Sequence, residues 1–261
     1  MKTRHRLLLL TLIAFPGVLA AQAADHIAAG RGAAEARDPH AAFEHFKAHL
    51  AQDPDSYEAN WRAALALIDI GKQTPDSVKS TRRDSLYAES ERYARKATEA
   101  NQTGDEGHFV LSVAIGRASL TKGKRERVRR ATEIRTEALA AIEINPNHDG
   151  AFHVMGRWNA EIMRLSGLER FFAKSFLGGS IFNQASWERA VEYMEKSVTL
   201  APTNIYHHLD LAEVYMDRER YSDARHHLDQ IATLPVVDVM DPRYKENAIV
   251  LLRRIEGKRD N

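Results

Sequence analysis

The sequence predicts an all-α protein built as a solenoid of stacked helical repeats. Its 261 residues include only 14 glycines and 8 prolines, whereas β-rich folds need many turn residues. Four amphipathic segments end alike, at or near a proline, a residue that cannot continue a helix. They are AAFEHFKAHLAQDP, ALAAIEINP, AVEYMEKSVTLAP and ARHHLDQIATLP. Self-similar segments of this kind indicate two-helix units that stack to bury a common core.

The first 23 residues have the pattern of a cleavable export signal. Three basic residues precede an apolar run over 7–20, and Ala-Gln-Ala at 21–23 fits a signal-peptidase site. The run is shorter than the ~20 apolar residues that span a bilayer, so an uncleaved membrane anchor is the less favoured alternative. We therefore expect a signal peptide over 1–23 and a periplasmic or secreted bacterial protein whose mature chain has no transmembrane span.

The net charge and the absence of cysteine argue against several classes of function. Signal removal would take three of the 37 basic residues and none of the 36 acidic ones, which leaves the mature chain close to neutral. A near-neutral chain argues against general nucleic-acid binding. Cysteine is absent, so no disulfide can form and no cysteine can carry a lipid anchor.

The four segments resemble the second helix of a tetratricopeptide (TPR) repeat, in which a small, a bulky and another small residue precede a proline. The matching residues are Ala42, Phe46 and His49 before Pro54; Ile134, Ala138 and Ala141 before Pro146; Ala190, Met194 and Ser197 before Pro202; and Ala224, Leu228 and Ile231 before Pro235. A weaker unit is predicted from helices around 86–101 and 105–117, and a capping helix near 242–256. We therefore expect about five TPR-like units in a right-handed α-solenoid with insertions over 39–261. Residues 24–38 would form a loose N-terminal arm or a first helix.

One unit carries an insertion. Pro146 and Pro202 lie about twenty residues further apart than one ~34-residue repeat allows. Ser166 and Glu169 match a capping box, which starts a helix. The apolar residues spaced for one helical face are Leu168, Phe171, Phe172, Phe176 and Leu177, before the stop signal Gly178-Gly179. We expect a short helix between the two helices of the unit, buried against the solenoid rather than touching a membrane.

The strings HVMGRW, LSGLERFFAKSFLGG and ASWERAVEYMEKSVTLAP, all within 153–202, resemble the regulator of microtubule dynamics family. The resemblance spans about residues 105–256, with departures at Asn159 and Gly167. It implies a TPR-like helical solenoid and an adaptor or tethering role like that of animal members, one of whose TPR domains is associated with phospholipid binding. A microtubule role is not expected of an exported bacterial protein.

The Gly-Arg-Trp of this motif also has a predicted place in the scaffold. Gly156 would let two helices cross closely, Arg157 would face the groove, and Trp158 would anchor its helix to a neighbour.

Catalytic signatures are missing from the sequence. It contains no H-E-x-x-H, no G-x-S-x-G, no phosphate-binding loop, no dinucleotide fingerprint and no cysteine nucleophile. We therefore expect a protein that is not an enzyme and that needs no cofactor.

Twelve histidines raise the question of a metal site. His45 and His49 are four apart and could face one ion from one helical face. The pairs at 207–208 and 226–227 fall in the two helices of one unit. Neighbours in a helix point about 100° apart, so at most one of each pair could join a common site. We expect solvated or hydrogen-bonded histidines rather than a metal site.

The stretch over 122–135 is the most basic part of the chain. It could bind phosphate head groups or an acidic partner, or it could be a solvated helix face.

In TPR solenoids the first helix of each unit lines the concave face, mainly through its second, fifth, ninth, twelfth and thirteenth positions. In this register the candidate ligand-binding residues are Trp61, Leu65, Phe109, Val113, Arg117, His153, Arg157, Glu161, Leu209 and Glu213. They are apolar and aromatic in the N-terminal half and charged further along. This pattern suits an amphipathic peptide, or an apolar chain with an anionic end. Closure of the superhelix, which would bury these residues as core, is the alternative.

The leading functional hypothesis is recognition of a protein segment of the bacterial envelope in the concave groove. The second hypothesis is binding or transfer of a phospholipid or fatty-acyl ligand in its apolar part.

Overall fold

The protein is a stack of antiparallel helix pairs. The computed structural model describes residues 16–167, 169–171 and 180–260, and these residues form α-helices, two short 3₁₀ turns and no β-strand. The helices are α1 Pro16–Glu35, α2 Pro39–Leu50, α3 Tyr57–Lys72, α4 Thr81–Ala100, α5 Asp105–Ala118, α6 Lys124–Ile144, α7 Asp149–Arg164, α8 Trp187–Leu200, α9 Ile205–Asp217, α10 Tyr221–Thr233 and α11 Asp241–Arg254. The prediction of an all-α solenoid is confirmed.

In the part of the chain that the structure describes, five two-helix units follow one another. The pairs are α1 with α2, α3 with α4, α5 with α6, α7 with α8, and α9 with α10, while α11 packs on the last unit. The capping helix predicted near 242–256 is therefore confirmed. Of the two alternatives for the Ala-rich residues 24–38, the structure has the helix, because α1 runs to Glu35 and packs on α2.

The pairing predicted for the weaker unit is wrong. The helix predicted at 86–101 is α4, the second helix of the α3 unit, and the helix predicted at 105–117 is α5, the first helix of the next. Ser90 on α4 donates a hydrogen bond of 3.0 Å to the carbonyl oxygen of Ala64 on α3. Tyr87 packs over Gly71 at the same crossing. The sequence misled because Gln102 stands where the other units have the terminal proline.

The small–bulky–small pattern of the second helices marks the core. Phe46, Met194 and Leu228 are each almost fully buried, and the small residues around them are buried as well. In the first and fourth units the bulky side chain lies on a glycine of the partner helix, Phe46 on Gly30 and Met194 on Gly156. This contact sets how closely the two helices of a unit approach.

The insertion lies between α7 and α8, as predicted. Ser166 and Glu169 form the capping box: Ser166 Oγ accepts from the Glu169 amide at 3.2 Å, and Glu169 Oε2 accepts from the Ser166 amide at 3.0 Å. The prediction of burial is wrong for Phe171, whose exposed fraction is 57%. Leu168, Phe172, Phe176, Leu177, Gly178 and Gly179 lie outside the described residues.

The C-terminal end of the insertion is tied to α7. Phe182, in the 3₁₀ turn Ser180–Gln184, is buried edge-on against the Trp158 ring, with 6.3 Å between the ring centroids. Asn159 Oδ1 accepts from the Ser186 amide at 3.2 Å, at the N-cap of α8. Sequence reasoning did not single out Phe182.

None of the described helices combines the length and the apolar character that crossing a bilayer requires.

The glycine at the α7–α8 crossing gives a stability test. A Cβ at position 156 would lie 2.5 Å from Cγ of the buried Met194, so Gly156→Ala must displace that side chain. We expect a loss of about 1–3 kcal/mol in the free energy of unfolding, as for other overpacked sites. Gly32→Ala is the matched control, because nothing lies within 4 Å of a Cβ there and alanine favours the helix by up to about 1 kcal/mol. Urea denaturation measures both, and equal stabilities for the two variants would contradict the role of Gly156.

Candidate functional site

The apolar half of the predicted groove is largely packed into the core. Trp61 is buried, and Leu65, Phe109 and Val113 are half-buried against the same core cluster. The Phe109 ring also packs on His148, with 4.6 Å between the ring centroids. In this half of the concave face the structure agrees with the closure alternative, because the side chains contact their own chain.

The chain closes over this half through the segment that joins α10 to α11. We call residues 234–240 the strap. Arg37 Nη1, between α1 and α2, donates a hydrogen bond of 2.9 Å to the carbonyl oxygen of Val236 in the strap. On α11, Tyr244 stacks on Tyr206 of α9 with 4.8 Å between the ring centroids. The first and last units therefore meet across the concave side.

The charged half is centred on a buried aspartate that was not predicted. Asp210 on α9 has an exposed fraction of 4%. Arg157 Nη1 on α7 donates to Asp210 Oδ2 at 2.8 Å and to the Tyr206 hydroxyl at 3.0 Å. His153 Nε2 lies 3.0 Å from the same Asp210 oxygen. Burial alone would raise the pKa of Asp210, but Arg157 and His153 outweigh it and hold this pKa below its usual value.

Around this centre the charges are accessible to solvent. Arg157 reaches Glu161 at 3.2 Å, and Arg164 reaches Glu161 and Asp217, each at 2.7 Å. Glu213 lies 3.9 Å from Arg164. The exposed side-chain fractions are 37% for Arg157, 55% for Glu161 and 40% for Glu213. We call Arg157, Glu161, Arg164, Glu213 and Asp217 the charged ladder.

Glu213 has an unusual protonation equilibrium for a carboxyl group. Its partial burial, and then the neighbouring Asp210 carboxylate, raise its pKa to about 7, although Arg157 and Arg164 act in the opposite direction. The net charge of the ladder therefore changes near neutral pH.

His153 and Leu209, two of the predicted groove residues, are buried rather than exposed to a ligand. The His153 ring lies between Tyr206 and His207, with 4.6 Å to each ring centroid. Burial is the main cause that lowers the pKa of His153 to about 4, so it is neutral at pH 7. His207 Nε2 in turn lies 2.8 Å from Asp149 Oδ2.

Arg117 lies between the two halves. Its Nη1 atom is 3.3 Å from Asp76 Oδ2, and 22% of its side chain is exposed. It is therefore engaged in an ion pair on the concave side.

Some important residues of this face could have been found from the sequence, and others could not. Tyr206 and Asp217 occupy the second and thirteenth positions of α9, which belong to the register used for the prediction. Asp210 occupies the sixth position and Arg164 the sixteenth of its helix, and both lie outside that register.

The paired histidines behave as the helix geometry predicts. His208 Nδ1 lies 3.0 Å from His227 Nδ1, whereas His207 turns to Asp149 and His226 lies 3.1 Å from Gln230. Within the described ranges, no group of three or more His, Asp or Glu side chains is arranged to hold a metal ion.

The basic stretch over 122–135 lies largely on α6, where it joins an ion-pair network. Arg130 bonds Glu91 on α4 at 2.8 Å and Glu126 at 3.0 Å, and Arg129 also contacts Glu126. Arg95 on α4 reaches Glu133 at 2.7 Å. This network supports the helix-face interpretation of the stretch.

Comparison with known proteins decides the family. The model of the family described as regulator of microtubule dynamics protein 1-3 matches residues 21–256. The chain belongs to the regulator of microtubule dynamics family. The bovine regulator of microtubule dynamics protein 1 is 24% identical over 209 residues, which are 79% of this chain and 64% of the relative. The chain thus spans less than two thirds of that relative's length.

Solved structures of other proteins share the fold of this family member. A thermophilic TPR protein from Thermus thermophilus superimposes with a TM-score of 0.63 at 14% identity, covering 87% of this chain and 99% of the other. The pilF structure of Pseudomonas aeruginosa gives 0.53 at 15% identity, covering 91% and 93%. At such identities the likeness shows the fold alone, a TPR-like α-solenoid.

The Gly-Arg-Trp string that carries the family resemblance builds the scaffold. Gly156 accommodates Met194, Arg157 pairs with Asp210, and Trp158 Nε1 donates to the carbonyl oxygen of Ala131 on α6 at 2.7 Å. The predicted roles of Gly156 and Trp158 are confirmed, and for this family member the string joins α7 to three neighbouring helices.

The buried His153 predicts that acid destabilises this family member. Its folded-state pKa, about 4, lies below the ordinary value of 6.5, so the unfolded chain binds the proton first. Stability is thus lost as pH falls from about 6.5 towards 4, by up to about 3 kcal/mol from this residue. We expect His153→Gln to flatten the pH dependence of urea denaturation between pH 7 and 5, whereas substitution of the exposed His40 does not. An unchanged pH slope in His153→Gln would contradict this role.

Proposed function

We propose that this chain is a non-catalytic scaffold of the bacterial envelope that recognises a protein segment on the charged half of its concave face. The observation that carries the proposal is the charged ladder, where accessible groups of both signs lie side by side on α7 and α9. TPR-like solenoids present such extended concave surfaces to protein partners.

The chemistry of the ladder favours a polypeptide partner. Arginine forks recognise carboxylates with two parallel hydrogen bonds, and the glutamates accept from lysine, arginine or amide groups. A segment carrying charges of both signs would exchange its own ion pairs for those of the ladder, which gives specificity and register. Because Arg157 holds the buried Asp210, Glu161 and Glu213 are the ladder positions that can be substituted without leaving a buried carboxylate unpaired.

The fatty-acyl alternative has less support. It rested on the family resemblance and on an open apolar groove, and the side chains that suggested the groove pack against the core or face the strap.

Partner capture at the ladder tests the proposal. A photo-crosslinking phenylalanine replaces Glu161, and the matched control carries it at the exposed Glu192 on α8, a second helix. We expect a partner that is captured from position 161 and not from position 192, and that binds the purified wild type.

Charge reversal then measures the ladder's part in that binding. We expect Glu161→Lys with Glu213→Lys to weaken the captured partner at least tenfold, while Glu192→Lys leaves its affinity unchanged. Equal capture at positions 161 and 192, or an unchanged affinity after reversal, would sink the proposal. Trp61 and Arg157 are unsuitable test positions, because one is core and the other holds a buried carboxylate.

Export is tested separately. If the signal is cleaved after the Ala-Gln-Ala site, the protein recovered from the periplasm of an expressing bacterium begins at Ala24. N-terminal sequencing after cell fractionation checks this, and intact residues 1–23 on a protein found only in the cytoplasm would contradict export.

A further inference from the structure

The strap lies where a ligand in the concave groove of a TPR-like solenoid would bind. Its residues 237–239 share a cavity of about 80 Å³ with Leu65 and Asp69 of α3, and with Ala42 and Phe46 of α2. Leu65 and Asp69 are the ninth and thirteenth positions of their helix, so they belong to the concave register. The strap runs without regular secondary structure over 235–237, which is the form in which many peptides enter grooves.

The conformation of the strap is fixed from its C-terminal side. Asp241 Oδ2 accepts hydrogen bonds from the amides of Val237 and Asp238, at 2.8 and 2.7 Å. Lys245 Nζ donates to the carbonyl oxygen of Ala232 at 3.1 Å and also binds that of Leu234. These bonds hold the strap to α10 and α11, and they do not depend on the first two units.

The contact with the first two units is lighter. Arg37 reaches the Val236 carbonyl, but the cavity leaves part of the facing surfaces unfilled. A volume of this size exceeds that of a water molecule several times, so the strap and the facing helices do not pack directly against each other around it. The exposed fraction of Val237 is 60%, although valine gains free energy on burial.

Charged groups of both signs also lie at the contact between the strap and α3. Lys72 Nζ already pairs with Asp69 Oδ1 at 3.0 Å. The strap brings Asp238 close enough to act on both, and burial and then the Asp238 carboxylate contribute to raising the pKa of Asp69. The Asp69 carboxylate repels Asp238 and the Lys72 ammonium attracts it, so the two groups act on closure in opposite directions.

We propose that the strap is a replaceable occupant of the apolar half of the concave face, and that an extended aliphatic peptide segment of a partner displaces it. The inference rests on the proposed function and names a second stretch of the same face, together with the chemistry that binds there. Arg37 is the group that holds a backbone carbonyl of either occupant, and the wall formed by Phe46 and Leu65 receives aliphatic side chains.

A lock on the strap tests the inference. Because the chain contains no cysteine, Ala34→Cys with Val237→Cys supplies the only two thiols. Both positions are exposed and line the same cavity, so a short bismaleimide can join them. The probe is a fluorescent peptide with the strap sequence ATLPVVDVMDP, followed by anisotropy. We expect the double variant to bind the peptide before crosslinking and to lose at least tenfold in affinity afterwards, whereas each single-cysteine protein keeps its affinity after the same treatment.

A second variant weakens the contacts of the strap instead of locking it in place. Val237→Ser with Val239→Ser removes aliphatic contact from the strap and leaves Asp241 and Lys245 in place. We expect this variant to bind the peptide at least tenfold more tightly than the wild type, with α11 intact by circular dichroism. Equal affinity of the locked and unlocked proteins, or no peptide binding by the loosened variant, would overturn the inference.

These outcomes are separable from the failure of the proposed function. If position 161 captures a partner while no protein form binds the peptide, the ladder is a binding site and the strap is structural. If the peptide competes with the strap as expected while position 161 captures nothing, the apolar half is the binding surface and the ladder is not.

Discussion

The close approach of the two helices within each unit is the constraint on which the rest of the molecule depends. Phe46 on Gly30 and Met194 on Gly156 are the same contact in the first and fourth units, and neither leaves room for a Cβ. Because this contact fixes how the first helix of a unit is rotated, it also fixes which of its side chains reach the concave side. The positions of Arg157 and Glu161 thus follow from the packing of Gly156 on the same helix.

Much of this could be read from the sequence, because the repeat signal is local. Ala190, Met194 and Ser197 are spaced by the period of one helix, and the prolines mark where the second helices stop. The same reasoning failed at 86–117, where Gln102 replaces the proline and the order of pairing depends on contacts such as Ser90 with Ala64. It also failed for Phe171, since an apolar residue at helical spacing says nothing about whether a neighbour lies over it.

The sequence predicted which helices line the concave face, but it did not predict which residues of that face are buried or paired. The repeat register predicts which side of a helix a residue lies on. Whether that residue is buried depends also on segments far away in the sequence that pack over it. Leu65 faces the strap, which lies about 170 residues further along the chain. A contact between residues so far apart in sequence leaves no local sequence pattern. Asp210 was missed because the sixth position of its helix lies outside the register used for the concave face. Its buried charge is stable only because Arg157 and His153, from another unit, lie against the same oxygen.

The hydrogen bond between Arg37 and Val236 closes the solenoid, because it joins the first unit to the segment that follows the last unit. An open array of repeats is quasi-one-dimensional: each unit touches its neighbours, and units can be gained or lost at little cost. Once the strap joins the first turn to the last, the array becomes a ring with a fixed circumference. Removing or duplicating one unit would carry Val236 away from Arg37, so the closed form is compatible with one number of repeats only. The molecule also gains sequence-distant contacts that an open array lacks, and these couple the stability of its first unit to that of its last.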